Sequence, residues 1–143
     1  MESPINFYSK TDFELPYKER HENWLTSVVK SEGKEAGELG YIFCSDIDLL
    51  EINETYLNHD TFTDIITFDY SEEEFISAEI YISIDRVKEN AGTFNVEFEE
   101  ELRRVMVHGV LHCCGYSDSS EELKAEMRAL ENKKLELFHV EHK

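Results

Sequence analysis

Two histidines four residues apart, His108 and His112, lie in the run EELRRVMVHGVLHCCGYSDSSEE, whose apolar residues recur at helical spacing. On a helix, positions i and i+4 share a face with Cβ atoms about 5–6 Å apart, so both imidazoles can reach one metal ion. Gly115, three residues after His112, is suited to the left-handed conformation that ends a helix and turns the chain back. That turn returns Asp118 to the pair as a third ligand. The expected set is two nitrogens and one carboxylate oxygen, with a position left for water.

The H-x-x-x-H-x-x-G-x-x-D spacing parallels the metal-binding run of metzincin proteases, in which a Glu directly after the first His serves as general base. Here that place is Gly109, which has no side chain to accept a proton, so peptide hydrolysis by that route is disfavoured. Most isolated helical His pairs are ordinary core or surface residues; the glycine and carboxylate at fitting positions favour the metal site over that reading. Cys113 and Cys114 point away from the His108/His112 face and read as small buried hydrophobes.

The elements that must position this run follow from periodicity. Ile5 to Tyr8 reads as a strand, Tyr17 to Lys30 as a helix through Trp24, Leu25, Val28 and Val29, and SEGKEAGELG as a polar turn. Leu39 to Cys44 reads as a strand, followed by a helix capped by Ser45 or Asp46 and running through Tyr56. After the polar loop LNHDTFTD, Asp64 to Tyr70 and Ile76 to Ser83 are strands, joined by a hairpin or a longer excursion. Asp85 to Ala91 is a short helix, the histidine helix runs from Val96 to Gly115, and a last helix starts at Ser119/Ser120 and reaches Phe138. Its apolar face is expected to hold Leu123, Met127, Leu130 and Leu137. The order β α β α β β α α α predicts an α+β or α/β sheet with helices packed against it.

Length and charge narrow the class. The 143 residues suit one domain, 1–143, and 41% hydrophobic residues with 6 Gly and 2 Pro describe a packed chain rather than a disordered one. The net charge of −18 excludes a fold-wide basic surface for gripping a phosphate backbone. Residues 51–100 hold 14 acids and 2 bases, whereas residues 101–143, which carry the histidines, hold 8 and 7. There is no dinucleotide or P-loop motif, no apolar run long enough for a membrane and no export signal at MESPINFYSK, so a cytoplasmic protein is expected. An odd number of cysteines, two of them adjacent, suits a reducing compartment.

The run HGVLHCCGY resembles the signature H-G-x-L-H-x-x-G-Y-x-H of the YbeY family of bacterial metal-dependent endoribonucleases. Asn53-Glu-Thr-Tyr56, Thr63-Asp64-Ile-Ile-Thr-Phe68 and Glu79-Ile-Tyr-Ile-Ser83 resemble further blocks of that family, in its order. The resemblance implies a small α+β domain with a mostly parallel central sheet of about four strands. It also implies zinc on His108 and His112, and single-stranded RNA, an rRNA precursor, as substrate, with the ribosome or a ribosomal protein as a further partner. Two positions depart from the family pattern. Asp118 stands where its third ligand is usually His, with Ser117 before it; a carboxylate oxygen is an acceptable zinc ligand, whereas Ser117 or Ser119 offers only a hydroxyl.

Leu57 stands where the family carries an Arg thought to act on the RNA phosphate. The nearest substitutes in sequence are His59, Arg103 and Arg104, each of which also reads as an ordinary loop or helix-surface residue. Asp64, at the entry to a strand, either caps the backbone or faces the metal to orient its water or a ligand histidine. Rival readings are a non-catalytic ribosome-assembly factor with a structural metal, and a mononuclear iron enzyme built on two His and a carboxylate. Three protein ligands with an open position favour catalysis over a structural site, which is normally closed by four.

Overall fold

The structure, a computed structural model, describes residues 4–58 and 63–141. Among these the chain runs β1 (Ile5–Ser9), α1 (Lys18–Ser31), β2 (Glu35–Cys44), α2 (Asp46–Leu57), β3 (Ile65–Asp69), β4 (Phe75–Ser83), α3 (Ile84–Phe94), α4 (Phe98–Cys113) and α5 (Glu121–Glu141). The element order is the one expected, and the sheet is mostly parallel. Its strand order is β1-β2-β4-β3, with β1, β2 and β4 parallel and β3 antiparallel at the edge. The two open possibilities for β3 and β4 resolve to a hairpin, closed by the Glu72–Phe75 bridge with Glu73 at φ 52°.

One boundary differs from the sequence reading. The polar stretch before Leu39 is not all turn, because β2 begins at Glu35 and pairs with Phe75 and Ile76 through a register irregularity between Ala36 and Leu39. Pairing along β4 carries the extension, and the acids Glu35 and Glu38 stay exposed.

Alternation sorts the strands into two faces. Leu39, Tyr41 and Phe43 of β2 with Ala78, Ile80 and Ile82 of β4 point into the main core, where Trp24, Leu25, Val28 and Val29 of α1 and the apolar side of α4 cover them. The other face meets α2 over a smaller cluster of Cys44, Leu49 and Ile66. Ser45 caps α2 in a reciprocal box with Asp48, at 3.1 and 3.4 Å, a device worth about 1 kcal/mol.

α4 is fixed against the sheet at a defined depth. Tyr41 donates its hydroxyl to the Met106 carbonyl (2.9 Å) from inside the core. Gly109 lies so close to the sheet that a Cβ would stand 3.1 Å from Ile65 Cδ1 and 3.2–3.3 Å from Ile80. Any side chain at position 109 would therefore enter the core, not the His108 face, which adds a steric reason against a general base there.

Candidate metal centre

Residues 101, 105, 108 and 112 of α4 share one face, and its last two turns carry the histidines to the edge of the sheet beside β3. The helix ends as its glycine requires. Gly115 has φ +105°, its N–H donates to the His112 carbonyl (3.0 Å) and the Tyr116 N–H to the Leu111 carbonyl (3.1 Å), the paired bonds of a Schellman turn. The turn brings the Tyr116 carbonyl back to accept a hydrogen bond from His112 Nδ1 (2.9 Å). Tyr116 itself is tied down by its hydroxyl, which donates to Glu32 (2.6 Å), the C-cap of α1.

The turn also brings Asp118 to the pair. His108 Nε2 and His112 Nε2 are 2.9 Å apart, and Asp118 oxygens lie 3.4 Å from the first and 3.7 Å from the second. Donors on a tetrahedral zinc ion, with bonds near 2.0–2.1 Å, are separated by about 3.3 Å, so the three atoms fit one small cation. Protonation makes the fit sharper. His108 Nδ1 is 2.6 Å from the Glu131 carboxylate and His112 Nδ1 faces a carbonyl; both partners accept only, so each neutral ring carries its proton on Nδ1. Two Nε2 lone pairs then face each other at contact distance, an arrangement that calls for a cation between them.

Glu131 is absent from the sequence reading and is central to the site. It is 4% exposed on α5, with its second oxygen 3.1 Å from Arg104, whose guanidinium also reaches Asn132 (2.7 Å). Burial alone would lower the basicity of His108, but the Glu131 hydrogen bond and charge, with Asp118 and Asp64, outweigh it and leave the imidazole more basic than usual.

The other candidates separate clearly. Asp64 lines the cleft beside His108 outside the donor set; its carboxylate accepts from Asn90 (3.3 Å), and burial pushes it toward the protonated form. His59 lies outside the described residues. Arg104 is engaged by Glu131 and Asn132, and Arg103 lines a separate hollow with His21 and Phe138, away from the donors, so neither is placed to meet a phosphate at the donor set. Leu57 lines the hollow on the β3 side of the donors, and the Ser117 hydroxyl bonds only to Ser119 among the described residues. Cys113 and Cys114 are half-buried rather than fully buried, and desolvation raises their thiols to about 12 and about 11, which disfavours the ligating thiolate.

The apolar face expected for α5 is also corrected. Among its described side chains the buried ones are Met127, as expected, with Glu131, Lys134, Leu135 and Phe138, whereas Leu123, Leu130 and Leu137 are only partly covered. Two charged residues occupy the centre of the stripe because each meets a partner there. No helix among the described residues is long and apolar enough to cross a membrane.

Comparison with known proteins gives the family. The family described as Endoribonuclease YbeY matches residues 5–139. Proteins named Endoribonuclease YbeY are 57% identical in Flavobacterium psychrophilum, over 95% of this chain and 97% of that protein, and 51% identical in Flavobacterium johnsoniae, over 96% and 99%. The solution structure of TM1509 from Thermotoga maritima superposes with a TM-score of 0.67 at 31% identity, covering 96% of this chain and 90% of that one. A helical histidine pair with a returning carboxylate, on a mostly parallel sheet with one antiparallel edge, thus stands in a chain that belongs to the YbeY endoribonuclease family.

Proposed function

We propose that this chain is a cytoplasmic, zinc-dependent endoribonuclease that cleaves single-stranded RNA during rRNA maturation, with His108, His112 and Asp118 holding one metal ion. The observation that carries the reading is the pair of Nε2 atoms 2.9 Å apart, on rings whose Nδ1 atoms both face acceptors, the Glu131 carboxylate and the Tyr116 carbonyl, which assigns the Nε2 lone pairs to a cation. A zinc ion bound there supplies Lewis acidity toward a phosphoryl oxygen and lowers the pKa of its water to about 7. The rest is done by the chain. Glu131 and the Tyr116 carbonyl keep both rings in the ligating tautomer, and the Asp118 carboxylate reduces the net charge of the site. Asp64, pushed toward its protonated form in the same cleft, is assigned the task of holding a proton beside the reacting phosphate. The acidic stretch 51–100 supports a basic ribosomal protein as a further partner.

The test is incubation of the purified metal-loaded protein with a single-stranded RNA and with an unstructured peptide. RNA cleavage lost in His108→Ala, with the peptide intact, is the expected result. RNA left whole by a protein that retains its metal would instead favour the assembly-factor reading. In Asp118→Ala, zinc affinity is expected to drop; full retention would move the third ligand elsewhere.

A further inference from the structure

Lys124, Met127, Arg128 and Glu131 of α5 line one cleft of about 360 Å3, at spacings of three, four and seven residues that keep them on a single helical face. Asn90 and Phe94 of α3, His108 of α4 and Asp64 form its other walls. Most of the charges in this cleft already have partners. Glu131 is held by Arg104 and His108, Asp118 belongs to the donor set and Asp64 accepts from Asn90.

The two cations at the mouth differ. Lys124 approaches Glu121 only at 3.7 Å, with 60% and 96% of the two side chains exposed, so the pair is loose. Arg128 makes no ion pair among the described residues, and its guanidinium lies over the Phe94 ring, 5.7 Å from the centroid. Arg128 is exposed, and contact through one face of the guanidinium leaves its N–H edges free to meet a phosphate. On the far side of the donors the second hollow ends at Leu57, which offers no charge. α5 also carries the exposed acids Glu121, Glu122 and Glu126, but these do not line the cleft, so an anionic polymer meets favourable charge beside the donors at Lys124 and Arg128.

We propose that Lys124 and Arg128 form a phosphate-binding rim that holds the RNA backbone next to the phosphate being cleaved, so that the strand runs along α5 across the donor set. This rests on the endoribonuclease reading above. Each contact with a single strand releases condensed counterions, so each contributes about 0.7 to the slope of log affinity against log salt.

The experiment uses the metal-loaded full-length protein and a 2′-O-methyl single-stranded oligoribonucleotide, titrated between about 20 and 200 mM salt. The Lys124→Ala/Arg128→Ala double variant should bind about tenfold or more weakly at the lowest salt, with the slope shallower by about 1.4. On cleavable RNA its KM should rise with kcat unchanged, and its metal content and Tm should stay those of the unmodified protein. Arg128→Lys should keep the slope, and Lys18→Ala, on the exposed start of α1, should change nothing. An unchanged slope and KM in the double variant, with RNA still cleaved, overturns the rim and leaves the endoribonuclease reading standing. Failure of the unmodified protein both to bind and to cleave RNA overturns both.

Discussion

Glu131 and Lys134 stand three residues apart on α5, both buried in a stripe that is otherwise apolar, and they join it to different parts of the molecule. Glu131 is shared between Arg104 and the metal-facing His108, at 3.1 and 2.6 Å. Lys134 reaches Glu32 and Ser31 at the end of α1, both at 2.7 Å, and Glu32 in turn holds the Tyr116 hydroxyl. One cluster therefore orients a proposed metal ligand directly, and the other pins the turn that delivers Asp118 and the Tyr116 carbonyl. Burying such pairs gains little stability over apolar residues of the same size, so their presence is better explained by positioning.

That contrast can be broken from either side. The largest expected effect is on the Lys134 cluster, where Lys134→Met leaves the partly buried Glu32 carboxylate without a cation and with only the Tyr116 hydroxyl, and should cost about 4 kcal/mol of stability by denaturant unfolding. Adding Glu32→Gln should recover most of it, and metal affinity measured on the folded protein should fall by less than in a variant that removes the Glu131 carboxylate.

Next in size is a pH effect at the far end of α5, where His21 packs against Phe138 and donates its Nδ1–H to the Tyr17 carbonyl (3.0 Å). Burial lowers its pKa from 6.5 to about 4. Between these values the unfolded chain binds a proton that the folded chain refuses, so this contribution is intact above pH 6.5 and is lost as pH falls toward 4. The loss should approach about 3 kcal/mol, and His21→Phe should remove that part of the pH dependence.

The smallest effect in energy is the most specific. Glu131→Gln should weaken metal binding by about tenfold, equivalent to about 1.4 kcal/mol, because His108 loses a charged acceptor on Nδ1. Nitrogen NMR of the rings would show His108 leaving the Nδ1–H tautomer while His112 keeps it. Equal loss of metal affinity in Lys134→Met and Glu131→Gln would erase the distinction between the clusters.

The legibility of these features in sequence follows their range. His108, His112, Gly115 and Asp118 span a single helix end, where a period of 3.6 and a glycine turn are enough to assemble the donors. Glu131 is 23 residues beyond His108 on another helix, so its role depends on how α4 and α5 pack. One trace was present: Glu131 and Lys134 continue the i, i+4, i+7 spacing from Met127, and a charge inside an apolar stripe signals a buried partner. The apolar period instead picks out Leu123, Leu130 and Leu137, which flank the buried face. Likewise the first residues of β2 look like turn because their strand character comes from pairing with β4, not from their own side chains.

The central claim is that His108, His112 and Asp118 hold a metal ion, and elemental analysis tests it most directly. The unmodified protein should carry about one divalent metal per chain and the His108→Ala/His112→Ala double variant almost none. Equal metal in both would contradict the account.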